Sequence, residues 1–518
     1  MESLFAGLPI VAVLVLMIPL RWPATRAGLA GLAVALIVAV AIFGYGAGVP
    51  EGVGLPAAVA GALAEALTTA VSVLWIIFPA LCIYHLQEAT GAIHTLRRTI
   101  DRVSSDPRLV GLLVAWFFSL FLEGAAGFGT PIALAAPFLL SIGFPPVEAV
   151  TLALIGHAVG VTFGAVGAPV IPLIEAGGDA ALALSQRIGL QNSLLAWVMA
   201  LIVAALVTRA VRAVPRLCDR AGAGSMIPWA VLAAVLFLVP YYAVARWVGP
   251  ELPSMIGGLV GGVVFVVVVR RWGPAAAPGR PPAVGVGAAH RLERAAAPYI
   301  LLVALVVVTR LVPAVRLGLQ AVTWRWTMPG GFASSIQVLY HPGTMLMVAF
   351  LLGALLQRAG GRRVGAVLRV TIRQLAPITL ALVGMLGLSR VMVHAGMTAT
   401  LALAAAGAVG GLWPLVAPLV GVLGTFITGS ATASNILFGE LQVATARDLG
   451  MPTLTLLAAQ DMGAAMGNMI CPHNIIAGGA TVGLAGREGE VLRRTLWPGL
   501  LYALLAGALA LGLIALGR

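Results

Sequence analysis

The stretch Phe121-Leu122-Glu123-Gly124-Ala125-Ala126-Gly127-Phe128-Gly129-Thr130-Pro131 sets an acid, three glycines and a proline into surroundings that are otherwise almost pure hydrocarbon. Glycine and proline at that density interrupt a helical hydrogen-bond ladder. Within a bilayer, freed N–H and C=O groups are tolerated only where protein or a water-filled cavity surrounds them. The stretch therefore predicts a helix broken at membrane depth. A second stretch of the same character, Gly429-Ser430-Ala431-Thr432-Ala433-Ser434-Asn435, follows roughly 300 residues later, a spacing that invites a search for an internal repeat.

Composition agrees with a lipid setting. The 518 residues are 60% hydrophobic and only 9% charged, against about 25% charged in soluble domains, and mean hydropathy is +1.04. The expected fold class is an all-α polytopic membrane protein. Apolar runs long enough to cross a bilayer at about 20 residues each recur from 4 to 516, and we expect roughly 12 to 14 transmembrane helices. The first run, 4–20, lacks a basic leader region and a small-residue cleavage site and reads as a retained helix.

The net charge of +13 does not indicate nucleic acid, because the arginines gather in the segments between apolar runs, at 97–108, 209–220, 270–294, 358–373 and 487–494. Such loops face the cytoplasm. Cys82, Cys218 and Cys471 are scattered without metal-ligand spacing, so neither a disulfide framework nor a metal site is expected. Walker A, His-Glu-x-x-His and Gly-x-Ser-x-Gly motifs are absent, which argues against a nucleotide-driven pump and against an enzyme. No cofactor is expected.

The Pro/Gly/Arg-rich segment 275–297 divides the chain into membrane halves 1–274 and 298–518, each with a broken-helix region, 121–173 and 426–484. Phe121, Gly124 and Thr130 align with Phe426, Gly429 and Asn435, and Gly160, Gly164 and Pro169 with Gly463, Gly467 and Pro472, in the same order. Secondary transporters commonly consist of two such halves in inverted orientation around a shared site. Half-helix N-termini present free N–H groups and a positive dipole end, which suit a carboxylate. Packing of helices through small residues is the plainer reading of the glycines; it accounts less well for Thr130, Ser430, Thr432 and Asn435.

Several blocks together resemble the bacterial lactate permease family: residues 121–137, Gly143-Phe144-Pro145-Pro146, 163–167, 424–438, Leu441-Gln442, 466–474 and 482–488. The resemblance spans most of the chain in the same order, and its first block is highly specific. It implies proton-coupled uptake of L-lactate, and often D-lactate or glycolate, across the cytoplasmic (inner) membrane. Departures fall in the second half. Ala431 and Ala433 stand where the family commonly has an acid and a serine, and Asn468 stands where it has a lysine, while Asp461 and His473 appear nearby. Loss of both members of a charge pair is tolerated more easily than loss of one, and an Asp461–His473 pair is the conjectured replacement.

Glu123 is the first candidate for proton coupling, since an intramembrane acid is costly unless it serves function. His157, Asp461 and His473 join it; His157 and His394 titrate near neutrality in water, although a lone histidine on an apolar face is commonly structural. Gly124, Gly129, Thr130, Ser430, Thr432, Asn435 and Asn474 are candidates for substrate binding. Arg390 is a candidate for a bidentate pair with a carboxylate, whereas Arg310 reads as snorkelling to the interface. The expected partners are thus a small carboxylate, a proton and the lipid bilayer, with a homo-oligomer compatible with the reading. The alternatives are a carrier for a different organic anion and a small-anion channel. Channels are usually rings of like groups around a pore axis, which two dissimilar breaks in one chain do not suggest.

Overall fold

The structure, a computed structural model, describes residues 2–17, 20, 22, 24–48, 52–92, 95, 103–127, 129–178, 181–222, 224–273, 292–484 and 487–517. Its helices in chain order are α1 (Glu2–Met17), α2 (Ala24–Phe43), α3 (Leu55–Thr90), α4 (Pro107–Ala125), α5 (Thr130–Ile142), α6 (Pro146–His157), α7 (Ile171–Gly177), α8 (Ala181–Leu195), α9 (Trp197–Arg212), α10 (Ile227–Trp247) and α11 (Pro253–Trp272). After them come α12 (Leu292–Leu311), α13 (Pro313–Gln320), α14 (Pro342–Leu356), α15 (Gly361–His394), α16 (Met397–Val409), α17 (Trp413–Thr428), α18 (Ala431–Asp448), α19 (Thr453–Ile470), α20 (Pro472–Thr481) and α21 (Glu488–Ala515).

Among the described residues, eight helices are long and apolar enough to cross a membrane, or nine if α8 and α9, bent by 45°, form one span. Four shorter apolar helices accompany them. The expected 12 to 14 spans also counted runs such as 342–356, which belong to the shorter class. At 36 residues, α3 is about 54 Å long at 1.5 Å per residue, well beyond a hydrocarbon core of about 30 Å. The protein is thus a multi-pass membrane protein of helices. The expected linker 275–297 is helix from Leu292 onward, and 274–291 lie outside the described residues.

One element has no counterpart in the sequence reading. Strands β1 (Trp324–Met328) and β2 (Phe332–Ile336) form an antiparallel hairpin, with Trp324 opposite Ile336 and Met328 opposite Phe332. Alternate aromatic and polar residues suit a pleated strand, and Gly330 and Gly331, both at positive φ, allow the tight reversal. Phe332 is buried against α3, where Gly61 leaves room for its ring.

Among the described residues, buried apolar side chains form four clusters, two of them large. One apolar cluster joins α1, α2, α3, the hairpin and α15 around Ala35, Ala58, Phe332 and Leu388. A larger one fills the space among α4 to α12 and the C-terminal helices, around Trp116, Phe138, Phe237 and Met466.

Around the larger cluster the same order of elements occurs twice. Helix α4 ends at Ala125 and α5 starts at Thr130, a turn at Gly143-Phe144-Pro145 leads to α6, and α6 unwinds through 158–170 before α7. Likewise α17 breaks at Gly429-Ser430 before α18, a turn at 449–452 leads to α19, and α19 breaks at Cys471 before α20. Gly429 at φ 78° takes the left-handed conformation that ends α17, one open to glycine without steric cost. In the first unwound stretch Ala165 (φ 44°) and Val166 (φ 55°) take that conformation without being glycine. Such backbones persist only where the surroundings enforce them.

Candidate functional site

Glu123 lies on the last turn of α4, just past a π-helical stretch, Leu113–Phe118. π-Bulges frequently accompany functional sites. Glu123 is 4% exposed, and three glycines make room for its side chain. A Cβ on Gly164 would collide with Glu123 Oε1, one on Gly127 would sit 3.4 Å from that oxygen, and one on Gly160 would sit 3.6 Å from Cγ. Both breaks of the first half therefore converge on one carboxyl. The nearest ionisable side chain among the described residues is His157, with Nε2 4.0 Å from Oε2.

His157 ends α6, where the helix tightens into a 3-10 turn over Ala158–Phe163. Its Nδ1 lies 2.6 Å from the Ala153 carbonyl and its Nε2 lies 3.2 Å from Asn468 Oδ1. A carbonyl only accepts, so Nδ1 carries a hydrogen. Nε2 then meets Asn468 in one of two ways. Either it donates to Oδ1, making the ring an imidazolium, or it accepts from an amide turned by half a turn. The contact thus accommodates both protonation states of the ring. Asn474 Nδ2 donates to the Asn468 backbone carbonyl at 3.0 Å, tying the start of α20 to the end of α19.

The second half holds its own buried acid. Asp461 on α19 is 0% exposed; Oδ1 accepts from Asn435 Nδ2 at 2.7 Å, while Oδ2 is buried without a partner among the described residues. The same Asn435 amide donates to the Pro169 carbonyl at 3.0 Å, so the first-half break is bonded to α18. The chain of polar groups continues through Gln460, whose Oε1 accepts from Gln442 at 3.0 Å, to Trp413, whose indole N–H donates to Gln442 Oε1 at 2.8 Å. The conjectured partner of Asp461, the His473 side chain, lies outside the described residues.

A third polar centre joins α3 and α15 to α7 and α18. Arg390 on α15 places Nε 3.9 Å from Glu65 (α3), Nη2 3.4 Å from Glu175 (α7) and Nη1 3.5 Å from Glu440 (α18). His394 Nε2 lies 2.8 Å from Glu65 Oε2, and its ring packs on Phe332 with centroids 4.4 Å apart. The Ala333 backbone N–H of the hairpin donates to Glu65 Oε1 at 3.0 Å, and Thr69 Oγ1 donates to Glu175 Oε2 at 2.9 Å. Three carboxylates surround one guanidinium, which is always charged. Arg390, expected to meet a substrate carboxylate, is met by the protein's own.

The other sequence candidates separate by environment. A Cβ on Gly124 would collide with the Met255 backbone nitrogen, so this glycine serves the contact of α4 with α11. Gly129 has open space around it at φ 81°. The backbone N–H and hydroxyl of Thr130 both donate to the Gly127 carbonyl, at 2.9 and 2.8 Å, closing the turn before α5. Ser430 caps α18 by accepting from Ala433 N–H at 3.4 Å. Thr432, in the first turn of α18, is buried.

Glu65, Glu175 and Glu440 were not singled out in the sequence, although the cost argument that marks Glu123 applies equally to an acid inside the apolar run of α3. Also unforeseen is a closed cluster. Asn192 Nδ2 donates to Thr162 Oγ1 and to the Tyr241 hydroxyl, and the Tyr502 hydroxyl donates to Asn192 Oδ1 at 2.7 Å. Its members come from four separate segments, so no local pattern announces it.

Comparison with known proteins places these features in a family. The family model described as L-lactate permease matches residues 2–516. An L-lactate permease of Bacillus subtilis (strain 168) is 29% identical over 94% of this chain and 91% of its own. One of Streptococcus iniae is 32% identical over 76% and 81%. The glycolate permease GlcA of Escherichia coli (strain K12) is 28% identical over 85% and 84%.

Proposed function

The chain belongs to the L-lactate permease family, and from that premise we propose that it is a secondary carrier that takes up L-lactate, or a close relative such as D-lactate or glycolate, together with protons across the bacterial inner membrane. The observation that carries the reading is the junction of the two broken-helix regions: His157 meets Asn468, and Asn435 meets the Pro169 carbonyl. Each region brings a buried acid, Glu123 and Asp461, with no cation against it at hydrogen-bond distance among the described residues.

In this reading the halves 1–274 and 298–518 are inverted repeats that alternate access to a shared site. The substrate carboxylate is received by the first turns of α5 and α18, with Thr432, Asn435 and Asn474 as side-chain ligands and with Gly129, Thr130 and Ser430 shaping the turns. A proton taken up at Glu123 and His157 offsets the charge of the anion. A nearly neutral loaded carrier crosses a low-dielectric layer at far lower cost than a charged one. Asp461 and His473 are the corresponding groups of the second half.

Arg390 takes a different part. It ties α15 and α3 to α7 and α18, the helices that flank the breaks. We assign it to holding the broken-helix regions against α3 and α15, in competition with any direct contact to substrate.

Uptake of radiolabelled L-lactate into proteoliposomes, with and without an imposed proton gradient and with glycolate, D-lactate and pyruvate as competitors, tests the proposal. Saturable, trans-stimulated uptake that collapses with a protonophore is expected. Uptake that ignores the gradient removes proton coupling, and linear, unsaturable flux favours a channel.

A further inference from the structure

A cavity of about 630 Å³ lies between α9 and α10, lined by Arg209, Arg212 and Thr208 on one side and by Ser225 and Ile227 on the other. It is remote in sequence from every break, and the transport reading makes no use of it. Arg108 also lines it, but that guanidinium is occupied: it donates to Asp106 Oδ2 at 2.8 Å and to the Gly224 carbonyl at 2.9 Å. Arg209 and Arg212, on the last turn of α9, are exposed and face no acid among the described residues.

A second source of positive potential points into the same space. Helix α10 runs for 21 residues from Ile227, and Ser225 Oγ accepts from the Ile227 N–H at 3.2 Å. The positive end of its dipole lies at the wall that Gly224, Ser225 and Met226 complete. Two arginines without an acid partner among the described residues and the positive end of a helix dipole together suit an anion.

The rest of the wall identifies which anion. Leu201 is 40% and Ile227 is 65% exposed, and Ala204, Ala205 and Ala230 continue the apolar lining. Exposed apolar side chains on a spanning helix face acyl chains. The lining has no aromatic ring on which a nucleobase would stack. We propose that this cavity is a binding site for an anionic phospholipid of the cytoplasmic leaflet. The phosphate lies between Arg209, Arg212 and the start of α10, the hydroxyls of Thr208 and Ser225 reach the glycerol, and an acyl chain runs along Leu201 and Ala205. The side follows from the arginine-rich segment 209–220, which the positive-inside rule places in the cytoplasm. Basic pockets between spanning helices on that side are suited to anionic head groups.

Native mass spectrometry of the purified full-length carrier, titrated with phosphatidylglycerol and separately with phosphatidylcholine, tests the site. Phosphatidylglycerol should be retained in preference to phosphatidylcholine. Arg209→Gln with Arg212→Gln should weaken retention on the order of tenfold, and Arg209→Lys with Arg212→Lys should largely restore it. As a control, Arg362→Gln with Arg363→Gln removes two exposed arginines at the start of α15 that are not part of this cavity's lining, and it should leave retention unchanged. Equal losses in both glutamine pairs would mean diffuse surface attraction and overturn the proposal. So would displacement of the lipid by millimolar inorganic phosphate, which would show a site for a free anion. Matching melting temperatures of the variants exclude misfolding as the cause.

Discussion

His157 Nε2 lies 3.2 Å from Asn468 Oδ1, although 311 residues separate them in the chain. The end of α6 and the end of α19 are the points where each half loses its helix, and this contact ties one to the other. Family members commonly carry lysine where this chain has Asn468. A cation there would face His157, whose Nε2 lies 4.0 Å from Glu123 Oε2.

Glu123→Gln keeps the shape of the side chain and removes its proton. Gradient-driven accumulation should be lost, while exchange of labelled for unlabelled substrate between the two sides persists. Proteoliposome uptake with and without a proton gradient distinguishes the two activities. Full accumulation in the variant would take Glu123 out of the proton path.

Gly164→Ala places a methyl on Glu123 Oε1. The backbone at Gly164, φ −66° and ψ 157°, is one that alanine adopts freely, so the whole effect is steric, on the order of 1–3 kcal/mol. Transport should fall sharply with a modest loss of melting temperature. Gly178→Ala, at φ 66° with open space around it, supplies the contrast: backbone strain and unchanged transport.

Arg390→Gln leaves Glu65, Glu175 and Glu440 facing one another without their cation. A loss of stability on the order of 2 kcal/mol is expected, reduced because the arginine is partly exposed. Adding Glu440→Gln should return part of the loss, a coupling of about 1 kcal/mol. A double-mutant cycle on melting temperature measures it, and simple additivity would show that the ion pairs are incidental. If Arg390 instead binds substrate, the double variant remains as inactive as the single one.

Asp461→Asn retains the acceptor for Asn435 Nδ2 and replaces the unpartnered Oδ2 with an amide group. Folding should be preserved, and substrate uptake should fall by about tenfold, the equivalent of roughly one charge-assisted hydrogen bond. Unchanged uptake and unchanged ion dependence would make Asp461 a structural member of the Trp413–Gln442–Gln460 chain.

The sequence disclosed what depends on composition and on local interruption. Apolar runs gave the spans, and glycine with proline gave the breaks after Ala125 and at 429–430, since these residue types act on the backbone next to them. It disclosed less where function depends on who meets whom. Glu123, Asp461 and Asn435 stand out singly, but that Asn435 would bond both Asp461 and Pro169 follows only from the docking of α18 against the first half. Arg390 was visible as a charge in an apolar helix; its three acids come from α3, α7 and α18, and pairing at such separations leaves no periodic trace. The hairpin 324–336 was missed because its alternation is brief and lies between apolar helices.

Val166 is β-branched and buried, yet it holds a left-handed backbone at φ 55° beside the equally left-handed Ala165. Each such residue stores about 1–3 kcal/mol, and a rearrangement of 164–167 that returned either to ordinary dihedrals would release it. That bias amounts to roughly a 5- to 150-fold shift in the ratio of two conformers. In the proposed alternating-access reading, the unwound stretch would act as a compressed spring beside Glu123, and a single valine would help set how an idle carrier divides its time between the two faces of the membrane.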